Sequence, residues 1–162
     1  MAITVDPYEP HDHSACRSQA LAEAEQLCAR RGARLTAIRQ QVLELVWQSH
    51  RPLGAYDLLG ELNAEGGRTA PPTVYRALDF LQQMGLVHRI ASLNAYIGCP
   101  RPSQQHRGCF LICQQCQNVL ELKAEGVNQA LGEATRAQGF SMADATIEIS
   151  GLCSNCQEGT PA

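Results

Sequence analysis

The chain has 162 residues, 44% of them hydrophobic, and a formal net charge of −3. That length allows one medium domain or two small ones, and no run of about 20 apolar residues offers a membrane-spanning helix. The leading MAITVDPYEPHDHSAC has neither the basic nor the apolar region of a secretory signal, so a cytoplasmic location is expected.

Charge is unevenly spread. Residues 17–91 carry nine Arg against seven acidic side chains, while residues 109–162 carry two basic against six acidic ones. Twelve of the thirteen basic residues are Arg, which suits bidentate contact with phosphate and guanine. Eight cysteines would suit a disulfide scaffold in a short secreted chain. Here four of them form two C-x-x-C pairs in a chain expected to stay in a reducing compartment, which favours metal.

Residues 1–16 are expected to form a mobile tail, with His11, His13 and Cys16 offering at most adventitious metal binding. A helix is expected over 17–31, with Leu21, Ala24, Leu27 and Cys28 inward and Gly32 as its stop. A second is expected over 36–49, capped by Thr36 and striped by Ile38, Val42, Leu45 and Val46; His50 follows in a solvated turn. A third covers 55–65 and stops at Gly66-Gly67. The fourth, 71–84, opens on Pro and divides into two faces. Val74, Ala77, Leu78, Phe80, Leu81 and Met84 cover one side, and Tyr75, Arg76, Asp79, Gln82 and Gln83 the other. The second face has the hydrogen-bonding side chains that a recognition helix carries into a major groove.

LVHRIA and NAYIG then predict a hairpin turning through Ala91–Leu93. Helices followed by a hairpin are the winged-helix plan. The Pro- and Gly-punctuated stretch 99–108 predicts a linker. Beyond it, CFLIC and NVLELK predict strands about a Cys113–Cys116 turn. A helix over 125–138 should bury Val127, Ala130, Leu131 and Ala134, and a last strand should run through FSMADATIEISG. The fold class is therefore α+β. The boundaries are a tail at 1–16, a winged helix at 17–98, a hinge at 99–108, a dimerisation and metal-binding unit at 109–157, and a second tail at 158–162.

Cys113-x2-Cys116 and Cys153-x2-Cys156 carry a strong signal, because each two-residue spacer aims both thiolates of a turn at one ion. Four thiolates close a tetrahedral site of the structural zinc kind. The competing reading is a thiol or redox protein using Cys109, Cys113 or Cys116, but neither pair opens a helix in a thioredoxin-like pattern. His88, Cys99, His106 and Glu121 make a weaker set. Each taken singly has an ordinary structural explanation; together they set N, S and O donors on wing, linker and next sheet, a mixture that zinc tolerates and that disfavours Mg or Ca.

RLTAIRQQVLELV, AYDLLGEL, PPTVYRALDFLQQMGLVHRI, NAYIGC, FLICQQC and GLCSNC together resemble the ferric uptake regulator (Fur) superfamily, most closely its zinc-sensing branch, the Zur proteins. The resemblance covers roughly residues 17–157. It implies a homodimeric, zinc-responsive repressor that binds a pseudo-palindromic operator in double-stranded DNA and controls zinc uptake, not an enzyme, with no small-molecule substrate and no membrane contact. It implies two zinc ions per protomer: a structural one on Cys113, Cys116, Cys153 and Cys156, and a regulatory one on His88, Cys99, His106 and Glu121. It also implies base contacts from Tyr56 and Arg76 and backbone contacts near Arg34 and Arg39.

There are departures from the family pattern. Ala37 replaces a usual Pro in L-T-P-x-R. Arg107-Gly108-Cys109-Phe110 stands where iron and peroxide sensors carry a His-rich run, which makes that alternative the weaker one. Gly60 and Asn63 occupy positions where some Zur proteins pair Asp with Arg between neighbouring dimers.

Overall fold

A computed structural model of the chain describes Tyr8, residues 11–64 and residues 66–158. Most of the expected tails, 1–7, 9–10 and 159–162, lie outside the described residues.

Four helices come first: α1 (His13–Arg30), α2 (Ala37–Val46), α3 (Ala55–Ala64) and α4 (Pro71–Gln83). Helix α1 begins four residues before the expected start. The Asp12 carboxylate accepts the Ser14 N–H at 2.8 Å, and this cap draws His13 to Cys16 into the helix instead of leaving them in a tail. The far end stops as expected. Gly32 takes a left-handed φ of 63°, and the Ala33 N–H returns to the Cys28 carbonyl. Thr36 precedes α2 in an extended conformation but makes no side-chain cap; Pro71 does open α4. The apolar stripes of α1, α2, α3 and α4 meet in one core of Ala24, Leu27, Cys28, Val42, Leu43, Val46, Leu58, Val74, Leu78 and Leu81. Cys28 packs there as a small hydrophobe.

Gly85, with φ 75°, turns the chain out of α4 into the wing. Strands β1 (Val87–Ile90) and β2 (Ala95–Gly98) pair antiparallel, with His88 opposite Ile97, around a single 3-10 turn at Ala91–Leu93. Leu53 adds a bridge to Tyr96 on the open side of β2, a pairing the sequence reading did not anticipate. Gly98 lies flat against the buried indole of Trp47, and a Cβ there would fall inside the ring's van der Waals envelope. Gly98→Ala is therefore expected to destabilise the winged helix by about 1–3 kcal/mol or more, as overpacking does. Denaturant unfolding followed by the fluorescence of this lone tryptophan measures it; an unchanged midpoint would mean that the indole can move aside.

The second unit has β3 (Cys109–Cys113), β4 (Val119–Glu121), α5 (Glu125–Ala137), β5 (Ile147–Gly151) and the short α6 (Ser154–Glu158). The sheet order is β4-β3-β5, with β3 antiparallel to β4 and parallel to β5. The last strand is only five residues long, shorter than FSMADATIEISG suggested. No residue of α5 is buried, against the expectation for Val127, Ala130, Leu131 and Ala134. The helix has a separated apolar face, and its side chains stay exposed or half-buried among the described residues.

The two units share a small core. Ile90 and Ile97 of the wing pack with Phe110, Ile112 and Val119 of the sheet. Two polar links flank it. The His50 carbonyl accepts the Val119 N–H at 3.0 Å, and the Glu148 carboxylate accepts the Ala91 and Ser92 N–H groups at 2.6 and 3.1 Å.

Candidate functional site

Strand pairing brings the two C-x-x-C turns together. Cys113 ends β3, and the left-handed residue Gln117 (φ 64°) closes the turn that returns Cys116 toward it. Strand β5 runs parallel to β3 with Gly151 opposite Cys113, so it delivers Cys153 and, one turn into α6, Cys156. The four sulfurs lie within 4.8 Å of one another. Cys116 Sγ and Cys153 Sγ are 3.9 Å apart. Zn–S bonds of about 2.3 Å in a tetrahedron imply sulfur–sulfur edges of about 3.8 Å, so the spacing fits zinc.

Burial opposes ionisation of Cys113, but the backbone N–H groups of Cys153, Cys116 and Gln115 outweigh it and bring its pKa to about 6. A hydrogen bond with Cys153, followed by burial, pushes Cys156 up to about 12. Three of the four sulfurs are buried and that of Cys116 is half-buried, and the one favoured thiolate makes the cluster suited to a cation.

The second set also converges. His88 comes from β1, Cys99 follows β2, His106 sits in the linker and Glu121 ends β4; their ligand atoms lie within 4.8 Å of one another. Cys99 Sγ is 3.5 Å from His106 Nε2, against an edge of about 3.5 Å expected from Zn–S and Zn–N bonds. His88 Nε2 and Glu121 Oε2 are both buried and 3.2 Å apart, and neither atom has a hydrogen bond of regular geometry. His106 Nε2 and Glu121 Oε1 stand closer, at 2.5 Å, in a direct ion pair.

Two further groups hold the ligands in place. The Gln104 carbonyl takes His106 Nδ1 at 2.7 Å, which leaves Nε2 facing the cluster. Arg101 donates to Glu121 Oε1 at 3.2 Å, with the Glu121 side chain only 4% exposed. Arg101 escaped the sequence reading, because an arginine in a polar linker carries no spacing signal.

The donors also hold protons for one another. Burial disfavours charge on His88, but contacts with Cys99 and Glu121 outweigh it and raise its pKa to about 9. Contacts with Cys99 and then Glu121 raise His106 to about 10. Burial opposes charge on Glu121, yet His106 and His88 bring it down to about 2, and the same imidazoles lower Cys99. Cys109, fully buried on β3, joins none of the ligand clusters among the described residues.

The polar face of α4 is exposed at Tyr75, Arg76, Asp79, Gln82 and Gln83. Tyr56, at the start of α3, is 71% exposed. Arg34 is exposed, whereas Arg39 is engaged within the protein: its guanidinium lies 3.5 Å over the Phe80 ring and donates to the Arg34 carbonyl at 2.6 Å. Asn63 closes the α3–α4 loop through both polar atoms of its amide, to the Thr69 N–H and carbonyl.

A winged helix joined through a linker that carries Cys99 and His106 to a small sheet with a four-cysteine cluster defines a class of metal-binding regulator. The Ferric uptake regulator family profile matches residues 30–150, and the chain belongs to that family. It is 42% identical over 139 residues to the zinc uptake regulation protein of Escherichia coli K12, covering 85% of this chain and 81% of that one. Among solved structures, a zinc uptake regulator complexed with zinc and DNA is 40% identical and superposes with a TM-score of 0.83 over 88% of this chain and 95% of that one. Holo XcZur, 42% identical, superposes at 0.80 over 88% and 99% of the two chains. Apo XcZur, 40% identical over 87% and 97%, reaches only 0.52. With identity nearly constant, the arrangement of this chain is more similar to that of holo XcZur than to that of apo XcZur. Among the described residues, no helix is long and apolar enough to cross a membrane.

Proposed function

We propose that the chain is a zinc-responsive, DNA-binding transcriptional repressor of zinc-uptake and homeostasis genes, acting as a homodimer in the cytoplasm. Cys113, Cys116, Cys153 and Cys156 hold a structural zinc. His88, Cys99, His106 and Glu121 hold a regulatory one. The observation that carries the reading is the convergence of donors from wing, linker and sheet at the joint between the two units. Zinc bound there supplies a single anchor common to all three segments.

The side chains account for the rest. Glu121, steadied by Arg101, is the fixed pole on the sheet. His88 rides on the wing and Cys99 directly follows it, so drawing them toward Glu121 sets the angle at which α4 faces DNA. A preference of about 1–3 kcal/mol per site for that geometry is enough for a switch. The working boundaries are a winged helix at 17–98, a hinge at 99–108 and a dimerisation unit at 109–157.

Dimerisation has its surface on the second unit. Strand β5 is an edge strand, and Val127, Phe140, Ile149 and Leu152 are exposed apolar side chains on the same unit. A second copy would cover them, which also explains why α5 buries nothing within one chain. On DNA, Tyr56, Tyr75 and Arg76 face the major groove, while Arg34 and the N-terminal end of α2 near Arg39 approach the backbone.

The test is operator binding at buffered free zinc, using promoters of zinc-import genes. Zinc should strengthen binding, and Arg76→Ala should relax base preference, with about 1–3 kcal/mol of discrimination lost at one position in each half-site. An unchanged site profile would remove Arg76 from the reading face. Binding that ignores zinc would sink the sensor assignment.

A further inference from the structure

A third cluster lies where the start of α1 meets the turn after α2, built partly from residues expected to be a tail. His11 precedes α1, His13 and Cys16 occupy its first turn, and His50 lies in the turn after α2. His50 is not a solvated turn residue. Its ring faces those of His11 and His13, with centroids 4.9 and 5.0 Å away, and His11 and His13 are 4.5 Å apart. The four ligand atoms lie within 4.8 Å of one another.

The local chemistry points to a cation. His11 Nε2 and His50 Nε2 are 3.0 Å apart, and two imidazole nitrogens that close cannot both carry protons. Cys16 Sγ stands 3.5 Å from His11 Nε2, equal to the Cys99–His106 separation and to the edge of about 3.5 Å that zinc bond lengths imply. His13 Nδ1 is buried without a hydrogen-bond partner, as a free ligand lone pair would be. Cys16 is itself buried, so its sulfur is presented inward.

We propose that His11, His13, Cys16 and His50 form a third divalent-metal site, suited to zinc-class ions and separate from the two clusters above. Three imidazoles and one thiolate are borderline donors, matched to zinc or cobalt and poorly matched to magnesium or calcium. The site joins the start of α1 to a turn whose His50 carbonyl already holds the Val119 N–H of β4. Just upstream, Tyr8 packs on the Cys113–Cys153–Cys156 cluster and donates to the Leu111 carbonyl at 2.9 Å. Filled, the site is a second tie between the N-terminal segment and both units, made by residues that the joint cluster does not use.

Zinc content settles it without reference to DNA. Full-length protein is saturated with zinc under reducing conditions, freed of excess by gel filtration and assayed for metal and protein. Wild type is expected to retain three zinc per protomer, and His11→Ala/His13→Ala and His50→Gln two each, with unchanged circular dichroism. The double variant alters only the first helical turn and the residues before it, so it tests the site even if His50→Gln disturbs the fold. Cobalt(II) added to protein already holding two zinc should give a tetrahedral visible spectrum with one thiolate charge-transfer band, lost in Cys16→Ser. Wild type retaining only two zinc, or a double variant retaining three, overturns the proposal.

Discussion

Replacing His88 or Cys99 with alanine is expected to abolish zinc-dependent operator binding while leaving a folded dimer. Either change removes one donor of the joint cluster but leaves the shared Ile90–Ile97–Phe110–Ile112–Val119 core and the four-cysteine cluster intact. The loss therefore belongs to the switch and not to the fold. A coupling of about 1–3 kcal/mol per site corresponds to about 5–150-fold in operator affinity between zinc-free and zinc-saturated protein. In the variants that ratio should fall to about one. Fluorescence anisotropy with labelled operator at buffered free zinc reads it, with sedimentation confirming the dimer. If both variants keep the wild-type ratio, the four residues are not the sensor.

The same site carries a pH signature of definite sign. His88 and His106 have pKa values raised to about 9 and about 10, so at neutral pH both carry protons that a bound cation must displace. Zinc affinity at this site should rise with pH, by up to about two protons' worth from the imidazoles for each unit below pH 9, and sensing should weaken in mild acid. With ordinary histidines near 6.5 that dependence would already fade above about pH 7. The pair of charges on the imidazoles also steadies Glu121, whose ion pairs are lost only as pH falls through about 2, well below the imidazole range.

How much of this was legible in the chain follows from whether the signal was local. The helical stripes of α2 and α4 and the two C-x-x-C turns are short-range patterns, and periodicity or spacing reads them directly. The division of α4 into a core face and an exposed Tyr75–Arg76–Gln82 face follows from 100° per residue alone. The hinge set is different. His88, Cys99, His106 and Glu121 come from separate segments, so their convergence depends on how the wing packs on β3 and β4, and only family resemblance brought them together in advance. Arg101, Glu148 and His50 work through contacts across the fold and left no mark in spacing. The buried face expected for α5 failed for another reason: an amphipathic pattern says that a face will be covered, but not by which chain.

Cys113→Ser should produce a different failure, loss of the dimerisation unit itself. Cys113 is buried where three strands meet. Its N–H bonds the Asn118 carbonyl beside β4, Gly151 of β5 lies opposite it, and its sulfur accepts the Cys153 N–H at 3.4 Å. A hydroxyl there is a poor zinc ligand and leaves three thiols crowded in one cluster. Structural zinc sites contribute about 10–16 kcal/mol in small peptides, which exceeds the total stability of most single domains, about 5–15 kcal/mol. A unit of this size, in which no residue of α5 is buried, has no reserve to replace that contribution. The variant should lose one zinc, dissociate or unfold over the second unit, and lose operator binding at every zinc concentration. Sedimentation, zinc content and circular dichroism on one preparation separate this outcome from the His88→Ala phenotype. A Cys113→Ser protein that remains a stable dimer would contradict a structural role for the four-cysteine cluster.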